Sequence, residues 1–215
     1  MRVKFCGITR LEDAEAAVSL GAWAVGLNRW PDSPRRCSDE AGAQIGAALK
    51  RRCDVAGVFV NATLDEIEAD AENLGLTMLQ LHGDEGPAFC REAGRRTGAK
   101  VIKALRVRSA AQLREAEAFR TDFHLLDAHR IGLPGGTGDS FDWELVAGRR
   151  SQVPLILAGG LTPGNVGGAI AAARPFAVDV ASGIEAEPGI KDPALMTSFI
   201  ERAQAATADP GTVMG

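Results

Sequence analysis

Short apolar runs recur along the chain at residues 3–6, 24–27, 54–59, 78–81, 100–105, 123–127, 155–158 and 177–180. Each is four to six residues long and bounded by Gly, Pro or polar residues, the signature of a buried strand. Between them, small apolar residues return at helical spacing over 11–20, 39–50, 64–74, 110–119 and 165–173, and shorter helices are expected at 87–94 and 141–148. This alternation predicts a parallel sheet covered by helices, because each parallel crossover needs a dozen or so residues to return. Eight such units can close into a (β/α)8 TIM barrel, an α/β fold forming a single domain over residues 1–205. The structural rival, an open doubly wound sheet, carries a glycine fingerprint at its first helix. Here Gly7 stands alone after the first run. Residues 206–215 are rich in Ala, Thr, Pro and Gly and are expected to form a disordered tail.

In such barrels chemistry gathers at the C-terminal ends of the strands. That rule brings Cys6, Asn28, His82, Asp127, Gly159 and Gly160 to one rim. Alternation along a strand puts residues two apart on the same face, so Lys4 goes with Cys6 and Gln80 with His82. Asp179 is expected to point inward between Val178 and Val180. The first and last strands meet when a barrel closes, so Lys4 and Asp179 are expected to pair inside it. The plainer reading sends the long Lys4 stem to solvent at the barrel floor.

Gly159-Gly160 follows the seventh run and Ser182-Gly183 the eighth. Barrel enzymes often bind phosphate between these two loops, through backbone N–H groups and the positive end of a short helix. One Gly-Gly pair is ordinary turn chemistry, but two glycine turns after these particular strands favour a phosphorylated small-molecule substrate.

Composition narrows the partners. The chain has 215 residues, 46% hydrophobic, with a net charge of -4, and its 24 basic residues are scattered rather than gathered. Nucleic acid is therefore not an expected partner. No apolar stretch nears the roughly 20 residues of a membrane span, so no membrane association is expected, and the protein reads as cytoplasmic and monomeric. Cys6, Cys37, Cys53 and Cys90 form no C-x-x-C pair, which signals neither a zinc site nor a redox motif. They read as free thiols, and no metal ligand set is expected.

In order and spacing, a series of motifs resembles the phosphoribosylanthranilate isomerases, enzymes of the tryptophan pathway that perform an Amadori rearrangement. The motifs are Lys4-Phe5-Cys6-Gly7-Ile8-Thr9, Ser33-Pro34-Arg35, Gly57-Val58-Phe59-Val60-Asn61, Gln80-Leu81-His82-Gly83, Leu125-Leu126-Asp127, Gly136-Thr137-Gly138, Phe141-Asp142-Trp143, Ala158-Gly159-Gly160-Leu161 and Asp179-Val180-Ala181-Ser182-Gly183-Ile184-Glu185. The resemblance covers nearly the whole chain. It implies Cys6 as general base, Asp127 as general acid, Arg35 as partner of the anthranilate carboxylate, and no cofactor. His82, Gly159, Gly160, Ser182 and Gly183 are then expected to line the substrate. Acting near neutrality requires an aspartic acid raised and a thiol lowered from their ordinary values, the latter by a nearby cation or helix dipole. The chain departs from the resemblance at Leu27-Asn28-Arg29-Trp30, where these enzymes commonly show Phe-x-Phe. Arg29 either adds a second cation beside the anthranilate or turns outward.

Without the resemblance each residue has a plainer reading. A cysteine at a strand end is usually a small buried hydrophobe, an aspartate there a turn former, and Arg35 beside Arg36 a solvated charge. The competing functions are another phosphosugar-binding barrel enzyme, expected to use lysine and glutamate, metal-bound histidines or two aspartates, and a non-catalytic phosphosugar-binding protein. Cys6 with Asp127 separates the chain from the first, and retention of acid, base and carboxylate clamp from the second.

Overall fold

The computed structural model describes residues 1–105, 116–127 and 151–208. The predicted motifs at 136–138 and 141–143, most of the predicted helix at 110–119, and that at 141–148 lie outside these residues. Eight parallel strands, β1 (Arg2–Cys6), β2 (Ala24–Asn28), β3 (Asp54–Phe59), β4 (Met78–Leu81), β5 (Lys100–Leu105), β6 (Phe123–Asp127), β7 (Leu155–Ala158) and β8 (Ala177–Val180), close into a barrel in chain order. This is the TIM barrel that the alternation predicts. β1 closes it by pairing with β8, with Lys4 in register with Asp179.

Side-chain parity divides the apolar residues into two bodies. Ala24, Ala56, Met78, Ile102, Leu125, Ile156 and Ala177 point inward and fill the barrel. Their strand neighbours Val25, Val55, Leu79, Val101, Leu157 and Val178 point outward and pack beneath the helices. The floor is closed by Trp23, Phe123 and Phe176, with ring centroids 5.3 to 5.6 Å apart. The Arg2 guanidinium lies 4.2 Å from the Phe176 centroid, a cation–π contact that covers the plug.

The described helices are α1 (Leu11–Ser19), α2 (Asp39–Leu49), α3 (Leu64–Asn73), α4 (Pro87–Thr97), α5 (Val166–Ala173) and α6 (Pro193–Ala208). Local signals start several of them. Ser38 accepts the Ala41 N–H to cap α2, and Thr63 and Glu66 form a reciprocal capping box on α3, satisfying otherwise orphaned N–H groups. α4 runs past the expected stop at Gly94, which packs against Val101 instead of ending the helix; the left-handed Gly98, at φ 68°, ends it. α6 reaches Ala208, so the helix continues through the first residues expected to be tail; 209–215 lie outside the described residues.

A short 3-10 turn at Ser182–Ile184 and an antiparallel hairpin of β9 (Glu185–Glu187) and β10 (Ile190–Lys191) follow β8. Strands of three and two residues are too short to leave a periodic trace, and this hairpin is absent from the sequence expectation.

Candidate active site

Every candidate residue is carried on or just beyond the C-terminal end of a strand. Cys6 ends β1, Arg35 lies in the loop after β2, His82 follows β4, Asp127 ends β6, Gly159 and Gly160 follow β7, and Ser182 and Gly183 follow β8. Closure of the barrel in chain order thus gathers them on one rim. Cys6 and Asp127 belong to strands separated by β7 and β8, so they stand apart around the mouth rather than side by side.

Cys6 is almost fully buried, at 8% exposure. Two residues earlier on the same face, the fully buried Lys4 donates from Nζ to Asp179 Oδ1 at 2.8 Å, and its ammonium lies beside the Cys6 sulfur. The interior pairing of Lys4 with Asp179 therefore holds, and the solvent-reaching alternative does not. Gly26 makes room for it: a Cβ there would fall 2.8 Å from Cys6 Sγ and 2.9 Å from Lys4 Nζ. Burial works against the Lys4 charge, but Asp179 and Cys6 outweigh it and hold the ammonium above its ordinary value. Burial likewise pushes the Cys6 thiol up, against the downward pull of the Lys4 and Lys191 ammoniums, with Asp179 adding to the rise. The expectation of a lowered thiol is corrected here. The cations are in place, but desolvation of a thiolate outweighs them.

At the opposite part of the rim, Gln80 Nε2 lies 3.3 Å from His82 Nδ1, and His82 Nε2 lies 3.5 Å from Asp127 Oδ2. In the tautomer that carries the ring proton on Nε2, toward Asp127, Nδ1 accepts from the Gln80 amide. Asp127 keeps 28% of its side chain exposed, enough to meet a ligand at the mouth.

Arg35 does not stand alone in solvent. Its Nε and Nη2 donate to Glu185 on β9 at 2.7 to 3.0 Å, and Lys191 Nζ donates to Glu185 Oε1 at 2.9 Å and to the Ala181 carbonyl at 3.0 Å. Burial opposes the Glu185 charge, yet Arg35 and Lys191 overcome it and hold the carboxyl below its usual range. Burial lowers Lys191 in turn, although Glu185 counters it. Sequence reasoning gave neither Glu185 nor Lys191 a role. An acidic side chain two residues beyond a presumed anion cradle was the available signal, since it requires a cationic partner; Lys191 carried none.

The loops after β7 and β8 are fitted to each other. Gly159 and Gly160 adopt φ of 94° and 63°, left-handed conformations that glycine takes without strain. A Cβ on Gly183 would fall 1.9 Å from the Leu161 carbonyl oxygen, so the two turns touch backbone to backbone. Asn165 braces the first, accepting the Thr162 N–H at 2.8 Å and donating to the Gly160 carbonyl at 2.9 Å. Ser182 is exposed at the lip of the second.

Arg29 turns outward. It shares the helix-facing parity of Leu27, and its guanidinium binds Asp70 of α3, Asp39 of α2 and the Cys37 carbonyl. Residue 29 thus adds no cation to the mouth, and its departure from an aromatic side chain takes nothing from the inner wall. Among the described residues no group of three His, Cys, Asp or Glu side chains could hold a metal ion.

The chain matches the family described as N-(5'phosphoribosyl)anthranilate (PRA) isomerase over residues 3–202. It is 44% identical over 203 residues to the N-(5'-phosphoribosyl)anthranilate isomerase of Citrifermentans bemidjiense, covering 94% of this chain and 97% of that one. The crystal structure of phosphoribosyl anthranilate isomerase from Thermotoga maritima aligns with a TM-score of 0.87 at 42% identity, over 95% of this chain and 99% of the other. A structure of the enzyme in complex with reduced 1-(o-carboxyphenylamino)-1-deoxyribulose 5-phosphate aligns at 0.85 and 40% identity, with the same coverage of 95% and 99%. With full-length identity of this order joined to the same closed barrel, the chain belongs to the N-(5'-phosphoribosyl)anthranilate isomerase family.

Proposed function

We propose that this enzyme, an isomerase of tryptophan biosynthesis, converts N-(5-phosphoribosyl)anthranilate to 1-(2-carboxyphenylamino)-1-deoxyribulose 5-phosphate with Cys6 as general base and Asp127 as general acid. The observation that carries the assignment is the placement of a thiol and a carboxyl on β1 and β6 of one rim, with a glycine cradle on the intervening loops. The phosphate sits between the Gly159-Gly160 turn and the Ser182-Gly183 turn, and Arg35 receives the anthranilate carboxylate.

Asp127 protonates the ring oxygen as the furanose opens, and the anthranilate nitrogen completes a Schiff base at C1. Loss of the C2 proton to the Cys6 thiolate gives an enolamine, and tautomerisation delivers the ketone. Lys4 stabilises the thiolate through its neighbouring positive charge, in a buried setting where a Coulombic contact counts for more than in water. His82 orients Asp127.

Cys6→Ala and Asp127→Asn are each expected to lower turnover by about 10² to 10⁴, with the fold unchanged by circular dichroism. An assay with freshly generated phosphoribosylanthranilate, following loss of its fluorescence, measures this. Near-normal turnover in both variants removes the mechanism. The enzyme acts in the cytoplasm as a monomer in this reading. Among the described residues no helix is long and apolar enough to cross a membrane, and the large apolar side chains left exposed are Trp30 and Leu195. Light scattering is expected to return the mass of one chain.

A further inference from the structure

Glu185 gathers four donors: Nε and Nη2 of Arg35, Nζ of Lys191 and, at 3.3 Å, the Gly189 N–H. Its side chain is 5% exposed, against 25% for Arg35, so the carboxylate lies behind the guanidinium as seen from the mouth. A guanidinium is a planar fork with two edges that each fit a carboxylate, one formed by Nε and one terminal nitrogen, the other by both terminal nitrogens. Glu185 occupies the first edge. Arg35 Nη1 has no partner among the described residues, which leaves the second edge for a ligand.

We infer that Glu185 is a positioning residue for Arg35: it holds one edge of the guanidinium so that the other is presented, already oriented, to the carboxylate of the substrate. The inference rests on the reading of Arg35 as the carboxylate clamp. Lys191 is part of the device. From the far strand of the hairpin its buried Nζ fixes Glu185 and ties it to the Ala181 carbonyl at the end of β8. Asp13 on α1, itself held by Arg10, accepts the Lys191 backbone N–H at 3.2 Å, so the hairpin cannot slide without disturbing α1. Two cations share one carboxylate, and the cluster keeps a net charge of +1, which suits an anionic ligand. The hairpin after β8 thus has a purpose beyond connection. It brings an acid and a base to bear on an arginine that the loop after β2 alone would leave as a solvated charge, and so lowers the ordering cost of binding.

The test compares two ligands by calorimetry: reduced 1-(2-carboxyphenylamino)-1-deoxyribulose 5-phosphate and its phenylamino counterpart without the carboxylate. Arg35→Met is expected to reduce the preference for the carboxylate ligand by about tenfold or more. Glu185→Gln is expected to remove about fivefold or more of that preference, with affinity for the phenylamino counterpart within about twofold of wild type. In steady-state assays KM rises while kcat stays. Added to Arg35→Met, Glu185→Gln changes the preference no further, which a purely structural role does not produce. Should Glu185→Gln not fold, the double variant Glu185→Gln/Lys191→Met, which leaves no unpaired buried lysine, carries the same expectation for the ligand preference. A preference unchanged in the Glu185 variants but lost in Arg35→Met overturns the inference and leaves the clamp. A preference retained in Arg35→Met overturns the clamp itself, and the inference with it.

Discussion

Cys6 shares its cavity with an ammonium group and is still held as a thiol, because burial penalises its charged form more than Lys4 and Lys191 relieve it. With the folded value raised, the thiolate fraction at neutral pH is below that of a free cysteine and grows as pH climbs beyond the ordinary thiol range. The limb of the kcat/KM profile that reports the base is therefore expected above that range. Lys4→Met removes the cation beside the sulfur and is expected to move this limb to higher pH. A profile that does not move excludes Lys4 as the group that tempers the thiol. At this scale the sequence is informative about which residues matter: parity gives Lys4, Cys6 and Asp179 a common inward face, and Asp127 is placed on the rim by ending the sixth run. It could not show how strongly solvent is excluded from Cys6, since that depends on the whole rim. Parity also held the answer for Arg29, because residues 27 and 29 share the helix-facing side.

Arg29 ties the start of α2 to α3 through Asp39, Asp70 and the Cys37 carbonyl. Asp39 is mostly solvated and contributes little, so the contacts to Asp70 and Cys37 carry the effect. Arg29→Met is expected to cost about 1 to 3 kcal/mol, read as a lower urea midpoint at unchanged slope, with KM unaltered. The loops after β7 and β8 respond in the opposite sense. Gly183→Ala forces a methyl into the Leu161 carbonyl, parts the two turns, and is expected to raise KM by about tenfold while kcat changes little, through a phosphate subsite displaced by a fraction of an ångström. The strands were legible to within a residue at either end, because each is a dense apolar run between breakers. The hairpin of β9 and β10 was not, since its register follows from tertiary ion pairs rather than from any repeat along the chain.

For the molecule as a whole, closure is secured where β8 meets β1. The pair of Lys4 with Asp179 sits inside that seam, with 0% and 9% of the side chains exposed. Asp179→Leu strands a buried ammonium and is expected to cost about 3 to 5 kcal/mol in chemical denaturation, much of it recovered on adding Lys4→Met. Stability should also depend on alkali. Burial pushes Cys37 and Cys53 up to about 11, whereas thiols in the unfolded chain ionise near roughly 8.5. The folded state thus retains protons that the unfolded state releases. The stability from this difference is fully present below the unfolded value and is lost as pH rises through the folded one, which a urea midpoint series from pH 8 to 11, compared with Cys37→Ala/Cys53→Ala, will register.

Gly26 lies where β2 faces both the sulfur and the ammonium, in a gap that even a methyl group would overfill. In a saturation library selected for growth without tryptophan, this codon should come back as glycine alone, although it encodes no reacting atom. What selection protects at that position is an empty volume.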